Sequence, residues 1–580
     1  MKRLFKYTMI AAGLGLAVWS TGCKKATDSG FLDPTDIGQI NEQTVFADSA
    51  LSIQFLNSVY GELHRTYFMQ NGSTGGGIWA FSDASDDGEA RWSSGFSQGF
   101  NLANVAGGAD NSFSLATWNN TYAMVRRVNV FLDNIDRAPL STLKKTRLKA
   151  ESRFLRAYAY YHLLRTFGGV PLLGDKKYSL SDDFLLPRNS FAETMSYIEK
   201  ELNEVAAILP LEHLPEDFGR PTKGAALAVK AKLLLMAASP LYNENNPNSG
   251  PLKAILGYES YDASRWKKAA DAAKEVMNLG LYRLVEDNAT APGYGYYDMG
   301  IQRKNSEYIF QIMMNTGRFY EQYLLPASRG GQNYGNPTQQ LVDDYAMSNG
   351  KLITEPGSGY VETTPYLNRD PRFYYTVIYN QAPWLDRTSQ TKKPVNLYAL
   401  APGDGMGTAP YNTVTGYLWR RFCNENAGGN YGVTSQIGLV VSRYADILLE
   451  FAEATNEFQG PNAEVYQAVE SIRKRAGLMP FEIAPGMNKE QMRAVIRHER
   501  RIEFAAEEGH RLFDIFRWKT AETLLNGPME GMRWTKAGDT FTGARTTFET
   551  RKFNSPQMYY HPIPLREMNK NNLFIQNPGW

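Results

Sequence analysis

Helical periodicity runs through residues 44–280 of this 580-residue chain, breaks off, and returns over 436–526. Residues 281–435 follow neither the helical nor the strand period. They are rich in Gly, Pro, Asn and Tyr, with only short β-like pieces such as Tyr308–Met313 and Tyr374–Tyr379. Long irregular stretches inside a compact protein are usually functional loops. The expected fold class is mainly α: a scaffold of helical pairs with a loop-rich, minor-β face.

The helical blocks carry their own start and stop signals. Helical patterning covers 44–67 and 112–137. Within 142–167, Phe154, Ala157, Tyr161 and Leu164 share one face, and Gly168-Gly169 with Pro171 end the helix. Ser190-Phe191-Ala192-Glu193 is a capping box that opens a helix running to Pro210. Thr222 caps 223–238, which is apolar on nearly every side and should be deeply buried. A further helix spans 264–279. After the break, Val440, Tyr444, Ile447, Phe451, Ala454 and Phe458 form one stripe, followed by helices at 462–476, 489–507 and 510–525. Residues 527–580 read as an irregular C-terminal segment. Successive helical pairs suggest a tetratricopeptide-like stack, although no clean 34-residue repeat is present.

The N-terminus reads as a separate unit. Lys2, Arg3 and Lys6 precede an apolar stretch through Val18 and then Ser20-Thr21-Gly22-Cys23, the layout of an export signal. The apolar run is short for a bilayer span, and no later run reaches 18 apolar residues. Cys at the break resembles the lipobox of bacterial lipoproteins, whose thiol takes a diacylglyceryl group and becomes the mature N-terminus. The expected organisation is a lipoprotein signal peptide over 1–22, a lipid-anchored tether over 23–43 and one body over 44–580. Two or three acyl chains anchor stably, since each buried methylene adds about 0.8 kcal/mol.

Processing removes three basic and no acidic residues, leaving 59 basic residues against 60 acidic ones. A balance this close to neutral argues against nucleic-acid binding, which needs a concentrated basic surface. With 43% hydrophobic and 21% charged residues, disorder is excluded as well. Cys423 remains as a lone thiol with no adjacent His, and reads as a buried small hydrophobe. Most of the 34 Tyr belong to helix packing, and a few loop rings remain to stack on uncharged ligands.

Several segments carry a family resemblance when taken together. Ser152–Tyr158 through Phe167-Gly168-Gly169-Val170-Pro171-Leu172, Lys223-Gly224-Ala225-Ala226 to Ala238-Ser239-Pro240, and Trp266–Ala270 are three of them. Arg443–Leu449 with Ala452-Glu453-Ala454, and Glu499–Glu503 through Gly509-His510-Arg511, Asp514, Arg517 and Trp518, are two more. His561-Pro562-Ile563-Pro564, Glu567 and Gln576–Trp580 close the series. In this order the chain resembles the SusD/RagB-like nutrient-binding outer-membrane lipoproteins. The resemblance implies a tetratricopeptide-like scaffold with a loop-built ligand face, exposed at the outside of the outer membrane. It implies oligosaccharide binding, or peptide binding in some branches, as a lid on a SusC-like TonB-dependent transporter. It implies no catalysis and no cofactor.

Motifs of other chemistries fail on context. Gly95-Phe96-Ser97-Gln98-Gly99 has the letters of a nucleophile elbow but lacks the preceding hydrophobic strand. His498-Glu499 has Ile502 where a second zinc-binding His would stand. His510 and Asp514 sit one turn apart beside Glu507, Arg511 and Arg517, which reads as an ion-pair network rather than an acid–base dyad. A surface glycoside hydrolase would need two facing carboxylates, and no recognisable motif supplies them.

The candidate ligand residues are Asp83, Asp86, Asp87, Trp92, Tyr334, Trp384 and Trp419. Asp83, Asp86, Asp87 and Glu89 lie between Trp79 and Trp92. Carboxylates beside indoles suit sugars, whose hydroxyls donate to carboxylate oxygens while an apolar face stacks on a ring. The competing readings are a hard-cation site, for which the EF-hand ligand spacing is absent, and a solvated acidic loop. Tyr334 follows Arg329-Gly330-Gly331, and Trp384 and Trp419 stand in Gly/Pro-rich surroundings that helix packing does not readily explain. Trp118, Trp266 and Trp518, on helical patterns, are expected in the scaffold, as are Arg153, Arg443 and Asp446.

Overall fold

The Ser190 hydroxyl accepts from the Glu193 N–H, and the Glu193 carboxylate accepts from the Ser190 N–H at 2.8 Å, so the predicted capping box forms. Thr222, Asn462 and Asn488 cap three other helices with their side chains. The computed structural model describes residues 41–68, 80–91, 96–103, 112–179, 181–182, 185–244, 248–314, 319–386, 388–407, 412–426, 437–507 and 509–580. The predictions for Cys23 and Trp92 lie outside these residues.

The longer helices are α1 (Ser49–Phe68), α2 (Ser112–Asn134), α3 (Thr142–Phe167), α4 (Phe191–Ala206) and α5 (Lys223–Ala238). After them come α6 (Ser264–Met277), α7 (Tyr444–Gln459), α8 (Ala463–Arg475), α9 (Lys489–Glu503) and α10 (His510–Arg517). Each of α1 to α5 packs on the next, α5 on α6, and α6 on α7, which also carries α8 and α9. This is a tetratricopeptide-like helical stack, and α5 runs through it with almost every side chain buried. The 3.6-residue stripe read from Val440 divides in two, because Leu439–Arg443 is a fully buried strand and the helix starts only at Tyr444. Val440 and Val441 are β-branched, which favours that strand.

Among the described residues, ten strands form five antiparallel pairs. In the loop-rich region and its borders these are β1 (Gly88–Ala90) with β3 (Gly335–Pro337), and β2 (Tyr308–Ile312) with β8 (Leu439–Arg443). There too β4 (Val377–Ile378) pairs with β7 (Leu418–Trp419), and β5 (Pro383–Asp386) with β6 (Thr391–Pro394). The β-like reading of 374–379 is corrected: Asp370 caps a helix over Pro371–Thr376, and only Val377–Ile378 are extended. The irregular reading of 527–580 is corrected as well. Most of its first half is a long hairpin, β9 (Gly527–Ala537) and β10 (Thr540–Arg551), turning at Gly538 with φ +59°. Five threonines in β10 favour it, and Gly-Asp makes the tight turn.

Buried ion pairs join the loop-rich region to the scaffold. The Arg443 guanidinium meets Glu307 and Glu503 at 2.6 Å each and Glu507 at 2.7 Å. Arg372 meets Asp370 at 2.8 Å and Glu499 at 2.5 Å. Such pairs depend on having every partner present, because a buried charge left alone is strongly destabilising.

Candidate functional site

Residues 80–91 lie against the loop-rich region through β1 and β3, and this contact builds the candidate site. The Arg91 N–H donates to the Tyr334 carbonyl at 3.1 Å, and the Tyr334 N–H donates to the Tyr323 carbonyl at 2.8 Å. The three strips of chain are thereby laid side by side. Phe319, Tyr323 and Tyr334 are each half-buried and form a ledge of rings. Tyr323 lies 4.9 Å from Tyr334 at an interplanar angle of 39°, and 4.9 Å from Phe319 in an edge contact. Trp92 follows Arg91 directly in the chain.

Two unusual backbone positions set the loop under the ledge. A Cβ on Gly331 would lie 1.9 Å from the Leu325 carbonyl oxygen, so only glycine fits there. Asn333 takes a left-handed conformation at φ +47°, and its side chain donates to the Asn412 carbonyl at 2.8 Å. Asn336 accepts from the Val414 N–H at 3.0 Å on the same side.

The carboxylates predicted to face a ligand are enclosed, and that expectation is corrected. Asp86 receives two hydrogen bonds from Arg511, at 2.8 and 2.7 Å, and lies 3.1 Å from Arg501. Burial pushes the Asp86 carboxyl up, but Arg501 and Arg511 outweigh burial and hold it well below the usual carboxylate range. Asp87 meets Arg501 at 2.8 Å, and Arg501 also reaches Asp344. Glu89 pairs with Arg551 at 2.8 Å, and burial raises its carboxyl to about 7. Asp83 is raised by burial and by Glu89, and its Oδ1 sits against Gly88 and Gly335 without a hydrogen bond. These acids form a buried clamp that fixes β1 to α9 and β10.

Trp384 and Trp419 are fully buried, so neither presents a face to a ligand. The Arg420 guanidinium lies 5.0 Å over the Trp384 ring, and both indole N–H groups lack an acceptor among the described residues. Short strands β5 and β7 give these indoles packing partners that no helical period announces. Of the predicted residues that are described, Tyr334 is the one whose ring is half-buried rather than enclosed, beside Tyr323. Sequence reasoning missed Phe319 and Tyr323, which the four-residue step of a short helix over Phe319–Leu324 brings together.

Two other places bring ionisable or aromatic side chains together. Asp514 bonds Arg500 and Arg517, while His510 faces Asp446 at 3.3 Å and burial lowers its imidazole to about 3, so this cluster is an ion-pair network. An open cleft of about 1040 Å³ lies between residues 211–222 and 303–311, with Phe218 and Tyr282 in its wall. Its cations are engaged: Arg220 meets Glu151 at 2.7 Å and Lys304 meets Glu212 at 2.9 Å.

Residues 283–580 match the model of the SusD family, and residues 39–235 match a SusD-like model described as starch-binding and associating with the outer membrane. SusD-like protein P2 of Formosa agariphila is 24% identical over 489 residues, 82% of this chain and 83% of its own length. The starch-binding protein SusD of Bacteroides thetaiotaomicron is 34% identical over 113 residues, 20% of this chain and 19% of that protein. A crystal structure of a SusD-like protein from Bacteroides fragilis superposes with a TM-score of 0.76 at 25% identity, covering 93% of this chain and 99% of that one. A laminarin-binding SusD-like protein shares the fold with a TM-score of 0.64 at 21% identity, covering 92% and 100%. The family match, the helical stack and the loop-built aromatic face agree, and the chain belongs to the SusD family.

Proposed function

We propose that this chain is a surface-exposed nutrient-binding lipoprotein that captures oligosaccharides and passes them to a SusC-like TonB-dependent transporter. Cys23 would carry the lipid that holds it to the outside of the outer membrane. The observation that carries the reading is the ledge of Phe319, Tyr323 and Tyr334, three adjoining rings left half-open on the loop-rich face. Sugars stack their apolar faces on such rings, and a near-neutral chain suits uncharged ligands. Trp92, a candidate ligand residue from the sequence, belongs to the site in this reading. Membership of a family that includes a starch-binding protein supports a glycan. Shallow stacking binds weakly, so proximity to the transporter would do much of the capturing. Catalysis is not part of the reading, because Asp86, Asp87 and Glu89 beside the ledge are each held by an arginine.

The test is calorimetry of the mature chain against panels of oligosaccharides and peptides. Tyr323→Ala and Tyr334→Ala are each expected to weaken binding of the preferred glycan about threefold to tenfold. Adding Trp92→Ala to the pair should abolish measurable binding. Parent-like affinity in that triple variant would refute the site, binding of peptides alone would move the chain to a peptide-binding branch, and turnover of the glycan would overturn the non-catalytic reading.

A further inference from the structure

We infer that the scaffold corner from Arg137 to Lys149, with the neighbouring Leu211–Asp217 segment, is a docking surface for an anionic lipid face. The inference deepens the reading above and rests on its lipid anchor at Cys23. Three leucines stand out of this corner: Leu143 is 83% exposed, Leu214 63% and Leu211 51%. Their two stretches adjoin, because Asp217 meets Arg147 at 2.7 Å and lies 3.9 Å from Lys144. Exposed large apolar side chains grouped in this way mark an interaction surface.

The basic groups around them outnumber the acidic ones. Arg137, Lys144, Lys145, Arg147 and Lys149 fall within thirteen residues that contain no acid. The Lys145 ammonium donates to a backbone carbonyl, that of Asp136, at 2.8 Å. The acids nearby are mostly engaged: Asp136 holds Lys149, Asp217 holds Arg147 and Arg220, and Glu212 holds Lys304. With those pairs set aside, Arg137, Lys144 and Lys145 remain against exposed Glu216. Leucines flanked by Lys and Arg are the composition that settles at a headgroup layer, the apolar groups entering it and the cations meeting phosphates.

The chain's own route selects a lipid face as the occupant. The Glu42 carboxylate accepts from the Asn134 side chain at 3.2 Å and pairs with Lys177 at 2.8 Å. Asn134 ends α2, three residues before Arg137, so the described chain begins at this corner. Residues 24–40 separate it from Cys23. A chain of that length reaches at most about 60 Å, and as a coil averages roughly 22 Å. The body is about 60 Å across by its size. Lipid at Cys23 therefore holds this corner, rather than the opposite side, towards the membrane.

The experiment uses the chain from Lys24 to Trp580, which carries no acyl group and keeps every core residue, the first being Phe46. It is sedimented with vesicles of phosphatidylcholine alone and of phosphatidylcholine with phosphatidylglycerol. Binding is expected to the mixed vesicles only, and to weaken as salt rises. Lys144→Glu with Lys145→Glu should weaken it at least about tenfold, and Leu143→Asp with Leu214→Asp should weaken it as well. Lys392→Glu with Lys393→Glu, on an exposed hairpin elsewhere, should bind like the parent, and thermal melts verify that all variants are folded. Equal binding to both vesicles, or parent-like binding by the corner variants, overturns the inference. So does a dimer in light scattering that Leu143→Asp dissolves in the absence of vesicle binding, which would assign the surface to a second copy. The anchor is read separately from the mass of the mature N-terminus. Acylation without vesicle binding removes the docking surface alone, and vesicle binding without acylation removes the anchor alone.

Discussion

Glu450 lies inside the helical stack with both carboxylate oxygens buried and no donor to either. It lines a cavity of about 60 Å³ shared with Lys232, Arg500 and His510. Burial pushes its carboxyl up to about 8; Lys232, Arg500 and Arg517 oppose the rise, and Asp446 adds to it. Between the ordinary carboxylate value and about 8, the folded chain therefore holds a proton that the unfolded chain has released. This group's contribution to stability is fullest below the unfolded value and falls as pH rises through that interval. Glu450→Gln keeps the shape of the protonated acid, so it should melt higher than the parent at pH 8, by on the order of 2 kcal/mol or more, with the gap closing towards pH 5. A gap that does not change with pH would count against this assignment. Glu503 shows the reverse balance: burial raises it, but Arg475, Arg443 and Arg372 hold it to about 2. Both glutamates stand at helical positions that look alike in sequence. What separates them is partners drawn from distant segments, and no spacing along the chain displays those.

Elements defined by local signals were legible, and those defined by distant contact were not. The capping box at Ser190 and the all-apolar 223–238 run need only their own residues, and both stand where predicted. The β9–β10 hairpin was missed because its docking depends on residues more than a hundred positions away. The Met532 N–H donates to the Thr415 carbonyl at 2.7 Å, and the backbones close without side chains between them. A Cβ on Gly531 would lie 2.2 Å from the Thr415 oxygen, and one on Gly416, at φ +83°, would lie 1.9 Å from the Met532 oxygen. Gly531→Ala and Gly416→Ala are therefore expected to destabilise the chain by about 2 kcal/mol or more, seen as a lower Tm and faster proteolysis within 527–551. Thr547→Ala, on the hairpin but away from that contact, should melt within about 0.5 kcal/mol of the parent. The ledge was only partly readable for the same reason. Tyr334 carries a Gly-rich signal beside it, but Tyr323 becomes a neighbour only through backbone bonds between strips of chain.

At the scale of the molecule, the scaffold and the ligand face are held together by a few arginines. The stack itself has no repeat to betray it, which is why its tetratricopeptide character came from the family resemblance and then from the packing order of the helices. Arg501 shows what the connection does. From α9 it holds Asp87 and Asp86, which precede β1, and also Asp344, which ends the helix following β3. Both strands of the β1–β3 pair, which Tyr334 directly precedes, are thus fixed to the scaffold by one guanidinium, although Arg501 touches none of the three rings. Arg501→Ala leaves Asp87 buried beside Asp86 without its main counter-charge, which should destabilise the fold by about 3–5 kcal/mol. Its second effect is local: Gly88–Ala90 and Gly335–Pro337 should lose more amide-hydrogen protection relative to the parent than α5 does. If the ledge binds glycan as proposed, affinity below the melting transition should fall about tenfold, because the rings must then be ordered at the moment of binding. Arg545→Ala, which removes a half-exposed ion pair with Asp343 at 2.6 Å, is the matched comparison and should change neither exchange nor affinity measurably. Unchanged affinity in folded Arg501→Ala, alongside faster exchange in β1 and β3, would show that the ledge needs no such support from the scaffold.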